Sequence, residues 1–260
     1  MQVTFAEWWT VIEQGPAAPI MQGMPCKTAV FVHPVCDQRV MSGNATVGLE
    51  ILEDLPDVDA VIVPFGGGAL ACGIGSVIKE ARGDKCKVYG CEPATASPLA
   101  ASFLDDGKRE RCAQFTEWQP SFVDGCGGKS VLRPIWPVAS KVLDGGFAVE
   151  LDDIADAIKL LVEKNRVVAE GAGACPVAAA RRGMAKGAKK IVCVVSGGGL
   201  DTDKLIQILS GTRIGSGGGG GCDKGAGVAD DAASLFSVIW HSALVYTAFA
   251  VLSDWVGGAP

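Results

Sequence analysis

Apolar residues along the chain gather into short unbroken runs instead of alternating with polar ones. "TAVFVHP" (28–34), "DAVIVPF" (59–65), "CKVYGCEP" (86–93), "GFAVEL" (146–151) and "KKIVCVVSG" (189–197) each read as a strand buried on both faces. Helical spacing fills the intervals. It marks "NATVGLEILEDL" (44–55), the stretch from Ala69 to Arg82, "LDDIADAIKLLVEKN" (151–165) and the alanine-rich stretch from Gly171 to Arg182. In 151–165, Leu151, Ile154, Ala155, Ile158, Leu161 and Val162 share one face, and Asp152 and Asp153 stand in the first turn, where the helix dipole favours negative charge. Strands alternating with helices predict an α/β fold: a three-layer, doubly wound, mostly parallel sheet covered on both faces.

Ligands of such sheets bind beyond the carboxyl ends of the strands. Two glycine loops, "PFGGGAL" and "VVSGGGL", fall at such ends. In the first, Gly66, Gly67 and Gly68 lead into a helix through Ala69 and Leu70. A glycine turn there leaves backbone N–H groups unobstructed at the positive end of the helix dipole, which suits a phosphate. A plain tight turn is the bland alternative. Gly66, Gly68 and Ala71 also satisfy the spacing of a dinucleotide-binding turn, with Glu92 at the end of the next strand where a ribose-binding acid would stand. A P-loop is excluded, because no Gly-Lys-Ser/Thr follows the glycines.

Composition narrows the field. The chain of 260 residues is long enough for a sizeable core, and 48% hydrophobic with 20% charged residues describes a globular protein. A net charge of -6 without basic runs leaves no electrostatic footprint for nucleic acid. The 10 cysteines form no C-x-x-C pair, so they read as buried thiols of a reducing compartment, with cytoplasm as the default location. With 2 histidines, His33 and His241, a histidine-rich metal site is not expected. The opening "MQVTFAEWW" lacks the basic and apolar regions of a signal peptide.

The stretch 103–144 is irregular, with Pro120, Pro134, Pro137 and the segment "SFVDGCGGKS" (121–130), and a connection of that length inside a compact domain is often functional. The expected organisation is a domain over 1–210, a glycine-rich linker over 211–231 and an apolar tail over 232–260. From Ala232 to Ser253 the tail carries no Asp, Glu, Lys or Arg. It has the length of a membrane-spanning helix, but its serines, Thr247 and His241 make it a poor one. A peripheral helix and a tail foreign to the domain are the alternatives.

The stretch from "HPVCDQRVMSGNATVGLEILEDL" through "VIVPFGGGALACGIGS", then "VYGCEP", "VVAEGAGA" and "VCVVSGGGLD", resembles the pyridoxal-phosphate enzymes of fold type II over roughly residues 28–210. Within them it is most similar to the threonine/serine dehydratases (ammonia-lyases), with serine racemase as a near relative; "SFVDGCGGKS" resembles the dehydratase branch. The resemblance implies a tryptophan synthase beta-like fold, present in part, with pyridoxal 5'-phosphate as cofactor. It implies β-elimination from a hydroxy-amino acid to a 2-oxo acid and ammonia. By resemblance, Gly66, Gly67, Gly68, Ala69 and Leu70 form the phosphate loop, Ala69 standing where a fourth glycine is usual. An alanine there keeps its N–H but has to be helical. Ser196 corresponds to the group facing the pyridine nitrogen and Glu170 to a glutamate near the ring. Glu170 read by itself is an ordinary helix-start carboxylate.

The sequence departs from the family at three points. Glu92 corresponds to the divalent-cation ligand of the racemase branch, but Ala96, Ser97 and Pro98 follow where an acid is needed, so no metal site is expected. Gly199 replaces the usual asparagine of the second glycine loop. The S-x-K-x-R-G-type segment, whose lysine forms the Schiff base, has no counterpart, and Lys129 does not match it. The resemblance therefore implies that about half of the family's chain, with its small domain, is missing. This chain alone is expected to be inactive or nearly so; the alternative is a non-catalytic remnant that retains phosphate-ligand binding or pairs with a full-length homologue, and a homo-oligomer is possible.

Overall fold

The computed structural model describes residues 32–104 and 114–211, and the backbone of two strands, Phe236–Trp240 and Thr247–Ser253. Helix α1 (Gln38–Asp54) leads into β1 (Ala60–Pro64), α2 (Ala69–Arg82), β2 (Lys87–Pro93) and α3 (Pro98–Leu104). Then come α4 (Trp136–Val142), β3 (Gly145–Val149), α5 (Leu151–Leu160), α6 (Gly171–Arg181), β4 (Lys190–Ser196), α7 (Thr202–Leu209), β5 (Phe236–Trp240) and β6 (Thr247–Ser253). The sheet order is β3-β2-β1-β4-β6-β5. Strand β1 lies parallel between β2 (Ala60↔Lys87) and β4 (Ala60↔Ile191), and β2 pairs parallel with β3 (Tyr89↔Gly145).

The unbroken apolar character of the strands has a direct cause. Ala60 and Ile62 of β1 and Ile191, Cys193 and Val195 of β4 join one core with Ile154 and Ile158 of α5 and the buried alanines of α6. Val61, Val63, Val192 and Val194 face the other way, into a second core with Ile51 of α1, Ile74 and Ile78 of α2 and Ala139 of α4. Alternate residues of each strand thus fill two cores, and neither face is left for polar side chains.

Four of the five expected strands stand as β1 to β4. The fifth, 28–34, falls largely outside the described residues, and residues 32–34 form no strand. Helix α1 begins at Gln38, ahead of the expected 44, because the Asp37 carboxylate accepts the Arg39 amide at 2.8 Å and caps the helix there. The helix expected over 151–165 remains α-helical to Leu160 and ends in a π-turn, Leu161–Asn165, closed by Arg166 at φ 61°. The expectation of a helix in the apolar tail is corrected: residues 232–253 contain β5 and β6, antiparallel to each other and β6 to β4. The β-branched and aromatic residues of "FSVIW" and "TAFAVLS" favour a pleated strand over a helix. Among the described residues no helix is long and apolar enough to cross a membrane. The glycine-rich linker expected over 211–231 lies outside the described residues apart from Gly211.

Candidate functional site

Between the end of β1 at Pro64 and the start of α2 at Ala69, the chain turns through Phe65 and the three glycines. Gly68 is the residue before the helix and has φ 96°, a left-handed conformation that a side chain would strain. Ala69 is the first helical residue, the one condition under which alanine can replace glycine in this loop. The Cys72 amide donates to the Gly68 carbonyl at 2.9 Å. Ala69, Leu70 and Ala71 therefore have no acceptor within the helix. The amides of Gly66, Gly67 and Gly68 donate to no described backbone carbonyl. Uncommitted N–H groups thus concentrate at the positive end of α2.

Gly66 and Gly67 line a cavity of about 620 Å³. Val35 and Ala96 contribute to its wall, and the remainder comes from the segment between Trp118 and Leu132. That segment is fastened to the glycine turn by the Gly127 amide, which donates to the Phe65 carbonyl at 2.7 Å. Two charged side chains, Asp124 and Lys129, lie among the lining residues. The Lys129 ammonium stands 4.9 Å from the centre of the Trp118 ring.

Glu170 and Ser196 occupy the same edge of the sheet, next to this cavity. Glu170 immediately precedes α6; its amide donates to the Gly197 carbonyl at 3.2 Å, and its carboxylate accepts the Gly199 amide at 3.1 Å. Burial raises the pKa of the Glu170 carboxyl, the Gly199 hydrogen bond opposes this, and the negative charge of Asp124 adds to the rise. Ser196 is half-buried at the end of β4. Neither residue is among those lining the cavity; Gly125, which does line it, lies against the Glu170 carboxylate. A Cβ on Gly66 would meet the Gly125 carbonyl oxygen at 3.0 Å, and a Cβ on Gly125 would meet the Glu170 carboxylate at 2.7 Å. The structure therefore brings the glycine turn, Glu170 and Ser196 to one edge and passes the 121–127 segment between the turn and Glu170.

Glu92 is placed differently from either role weighed for it. It is fully buried; its oxygens accept the Leu99 amide at 3.0 and 3.2 Å and the Ala100 amide at 3.1 Å, so it caps α3. Burial pushes its carboxyl up to about 8, against the pull of those hydrogen bonds. A carboxylate committed to two amides inside the core is not presented to a ribose, and the dinucleotide reading loses its acid. Among the described residues no group of three His, Cys, Asp or Glu is arranged to hold a metal.

The arrangement fits a phosphate-bearing cofactor of modest size: uncommitted amides, a helical Ala69, and a cavity opening at the glycines. Sequence reasoning marked the segment 121–130 but assigned no cavity residue within it, and it did not single out Val35 or Trp118. The irregular spacing of 103–144 was the available signal; which of its side chains turn toward the cavity depends on the turns at Gly125 and Gly127.

Comparison with known proteins shows the family. A family model described as pyridoxal-phosphate dependent enzyme matches residues 25–197. The L-threonine ammonia-lyase of Thermotoga maritima is 40% identical over 73% of this chain and 46% of its own. The catabolic L-threonine dehydratase of Escherichia coli is 35% identical over 69% of this chain and 54% of its own. Among solved structures, maize serine racemase aligns with a TM-score of 0.60 at 30% identity, covering 70% of this chain and 55% of that one. The chain spans about half the length of these relatives. With the family model matching residues 25–197 and a relative 40% identical beside it, the chain belongs to the pyridoxal-phosphate dependent enzymes.

Proposed function

We propose that this chain is the cofactor-binding part of a pyridoxal-phosphate dependent ammonia-lyase that converts threonine or serine to a 2-oxo acid and ammonia. The observation that carries the reading is the glycine turn after β1, whose amides are uncommitted and whose first two glycines open on the cavity. The relatives named as threonine ammonia-lyase and threonine dehydratase give the substrate class. When bound, the cofactor supplies the electron sink for elimination.

The chain's own residues divide the remaining work. The amides of Gly66 to Leu70 hold the phosphate. Ser196, at the same sheet edge though not in the cavity wall, would offer the pyridine nitrogen a neutral hydroxyl, which stabilises no ring charge and moderates the sink. Glu170, its pKa raised by burial, is suited to hold a proton beside the ring. The reading assigns no Schiff-base lysine to this chain, so turnover needs an amine from a further segment or a homologous chain. The described cysteines are all free, which suits a reducing, cytoplasmic setting.

The test is a titration with pyridoxal 5'-phosphate and, in parallel, with NAD, following the tryptophan fluorescence to which Trp118 in the cavity wall contributes. Saturable binding of the first with no response to the second, and no 2-oxo acid released from threonine, is the expected result. NAD binding without pyridoxal-phosphate binding would return the chain to the dinucleotide reading.

A further inference from the structure

Lys129 stands out among the charged residues of the cavity. It supplies the one cationic side chain among the lining residues, and Asp124 the one carboxylate. Other lysines are held by acids: Lys79 and Lys87 meet Asp144, Lys159 meets Glu163, and Lys190 meets Asp57. Among the described residues no carboxylate lies within ion-pair distance of the Lys129 ammonium. It rests instead over the ring of Trp118. Its backbone is fixed on both sides: the Phe115 amide donates to the Lys129 carbonyl at 2.8 Å, and the next residue, Ser130, forms an antiparallel bridge with Gln114.

The quadrupole of an aromatic face attracts an ammonium, so the Trp118 ring holds the Lys129 side chain in place as a positioned charge. A cation without an acid partner among the described residues, displayed in a cavity that the phosphate-compatible turn also lines, is complementary to an anion on the ligand. We infer that Lys129, held by Trp118, is a ligand-binding residue that pairs with an anionic group of the molecule in the cavity. The group is either the cofactor's phosphate or the carboxylate of the amino acid joined to it. The inference rests on the proposed function and extends it by a specificity-determining residue outside the glycine turn, Glu170 and Ser196.

The experiment compares wild type with Lys129→Met, which removes the charge, and Lys129→Arg, which keeps it, using two ligand pairs. Pyridoxal 5'-phosphate against pyridoxal isolates the phosphate. Phosphopyridoxyl-L-serine against pyridoxamine 5'-phosphate isolates the carboxylate. Binding is measured by equilibrium dialysis at low and high salt, with circular dichroism confirming that each variant is folded. In one pair, Lys129→Met should weaken the member carrying the decisive anion about tenfold and leave its counterpart unchanged, while Lys129→Arg retains binding and added salt narrows the difference. If the first pair separates, the anion is the phosphate; if only the second does, it is the carboxylate. Equal binding by wild type and Lys129→Met in all four cases, or loss in Lys129→Arg equal to that in Lys129→Met, overturns the inference and leaves the proposed function standing. Failure of the wild type to bind any of the four overturns both.

Discussion

The Glu170 carboxylate lies directly against Gly125, close enough that a Cβ on Gly125 would stand 2.7 Å from its oxygen and 2.9 Å from the Ala172 methyl. One glycine thereby lets the 121–127 segment pass between the glycine turn and the glutamate. Gly125→Ala should force the segment or the carboxylate aside, at about 1–3 kcal/mol of stability. Because the Gly125 carbonyl also borders Gly66, affinity for pyridoxal 5'-phosphate should fall with it. Urea unfolding and cofactor titration of the same variant measure both. Unchanged affinity would show that the segment and the turn move independently.

Glu92 gives the chain a pH dependence of unusual sign for a carboxylate. Its folded pKa is raised by burial to about 8, above the ordinary 4.5. Between those values the folded state holds a proton that the unfolded state has lost. The stabilisation is therefore full below about 4.5 and declines as pH rises toward 8, over a window worth on the order of 5 kcal/mol. Glu92→Gln keeps the side chain neutral throughout. The wild type should unfold at progressively lower urea concentration from pH 5 to pH 8, and the variant should lose most of that slope. A wild-type midpoint constant over this range would mean that the hydrogen bonds from Leu99 and Ala100 outweigh burial.

These two residues also show what a linear pattern can and cannot carry. The apolar runs of β1 and β4 were legible because each strand serves two cores, and that requirement is written at every position. The glycine turn was legible because Gly68 needs φ 96° and Ala69 a helical conformation, constraints local to the sequence. The role of Glu92 was not. A buried helix cap and an exposed ribose ligand use the same residue at the end of the same strand, and only the position of Leu99 and Ala100 separates them. Gly125 and Lys129 lie in a segment without periodicity, where contacts are set by single turns. The strands in the apolar tail were missed for a related reason: a charge-free stretch of that length satisfies a spanning helix as readily as two strands.

Asp144 holds together the end of the sheet opposite the site. Its carboxylate meets the Lys79 ammonium at 2.7 Å, the Lys87 ammonium at 3.1 Å and the Val88 amide at 2.8 Å, with 17% of its side chain exposed. Burial alone would raise its pKa, but the hydrogen bonds from Lys79, Val88 and Lys87 outweigh this and hold the carboxyl below its ordinary value. The sign is opposite to that of Glu92: the stabilisation is present above about 3.8 and is lost as pH falls further. Asp144→Asn leaves Lys79, also 17% exposed, with only the exposed Asp84 at 3.8 Å as an acid partner and should cost about 1–3 kcal/mol at neutral pH. Urea unfolding at pH 7 measures this, and a loss below 0.5 kcal/mol, the scale of an exposed pair, would place the network in solvent.

The buried thiols make a last prediction about access. Burial pushes Cys72 up to about 12 and Cys86 and Cys91 up to about 11, so that almost no thiolate exists at these positions at pH 8. Cys36 is also raised by burial, but it is partly exposed at the surface beside α1. Iodoacetamide at pH 8 should therefore label Cys36 well before Cys72, Cys86, Cys91 or Cys193, with the buried group reacting only as fast as the domain opens. Peptide mass mapping over a time course follows each site. Adding urea should bring the buried sites up to the rate of Cys36. Early labelling of Cys91 or Cys193, which belong to the central strands, would show that the sheet opens around its core in the native chain.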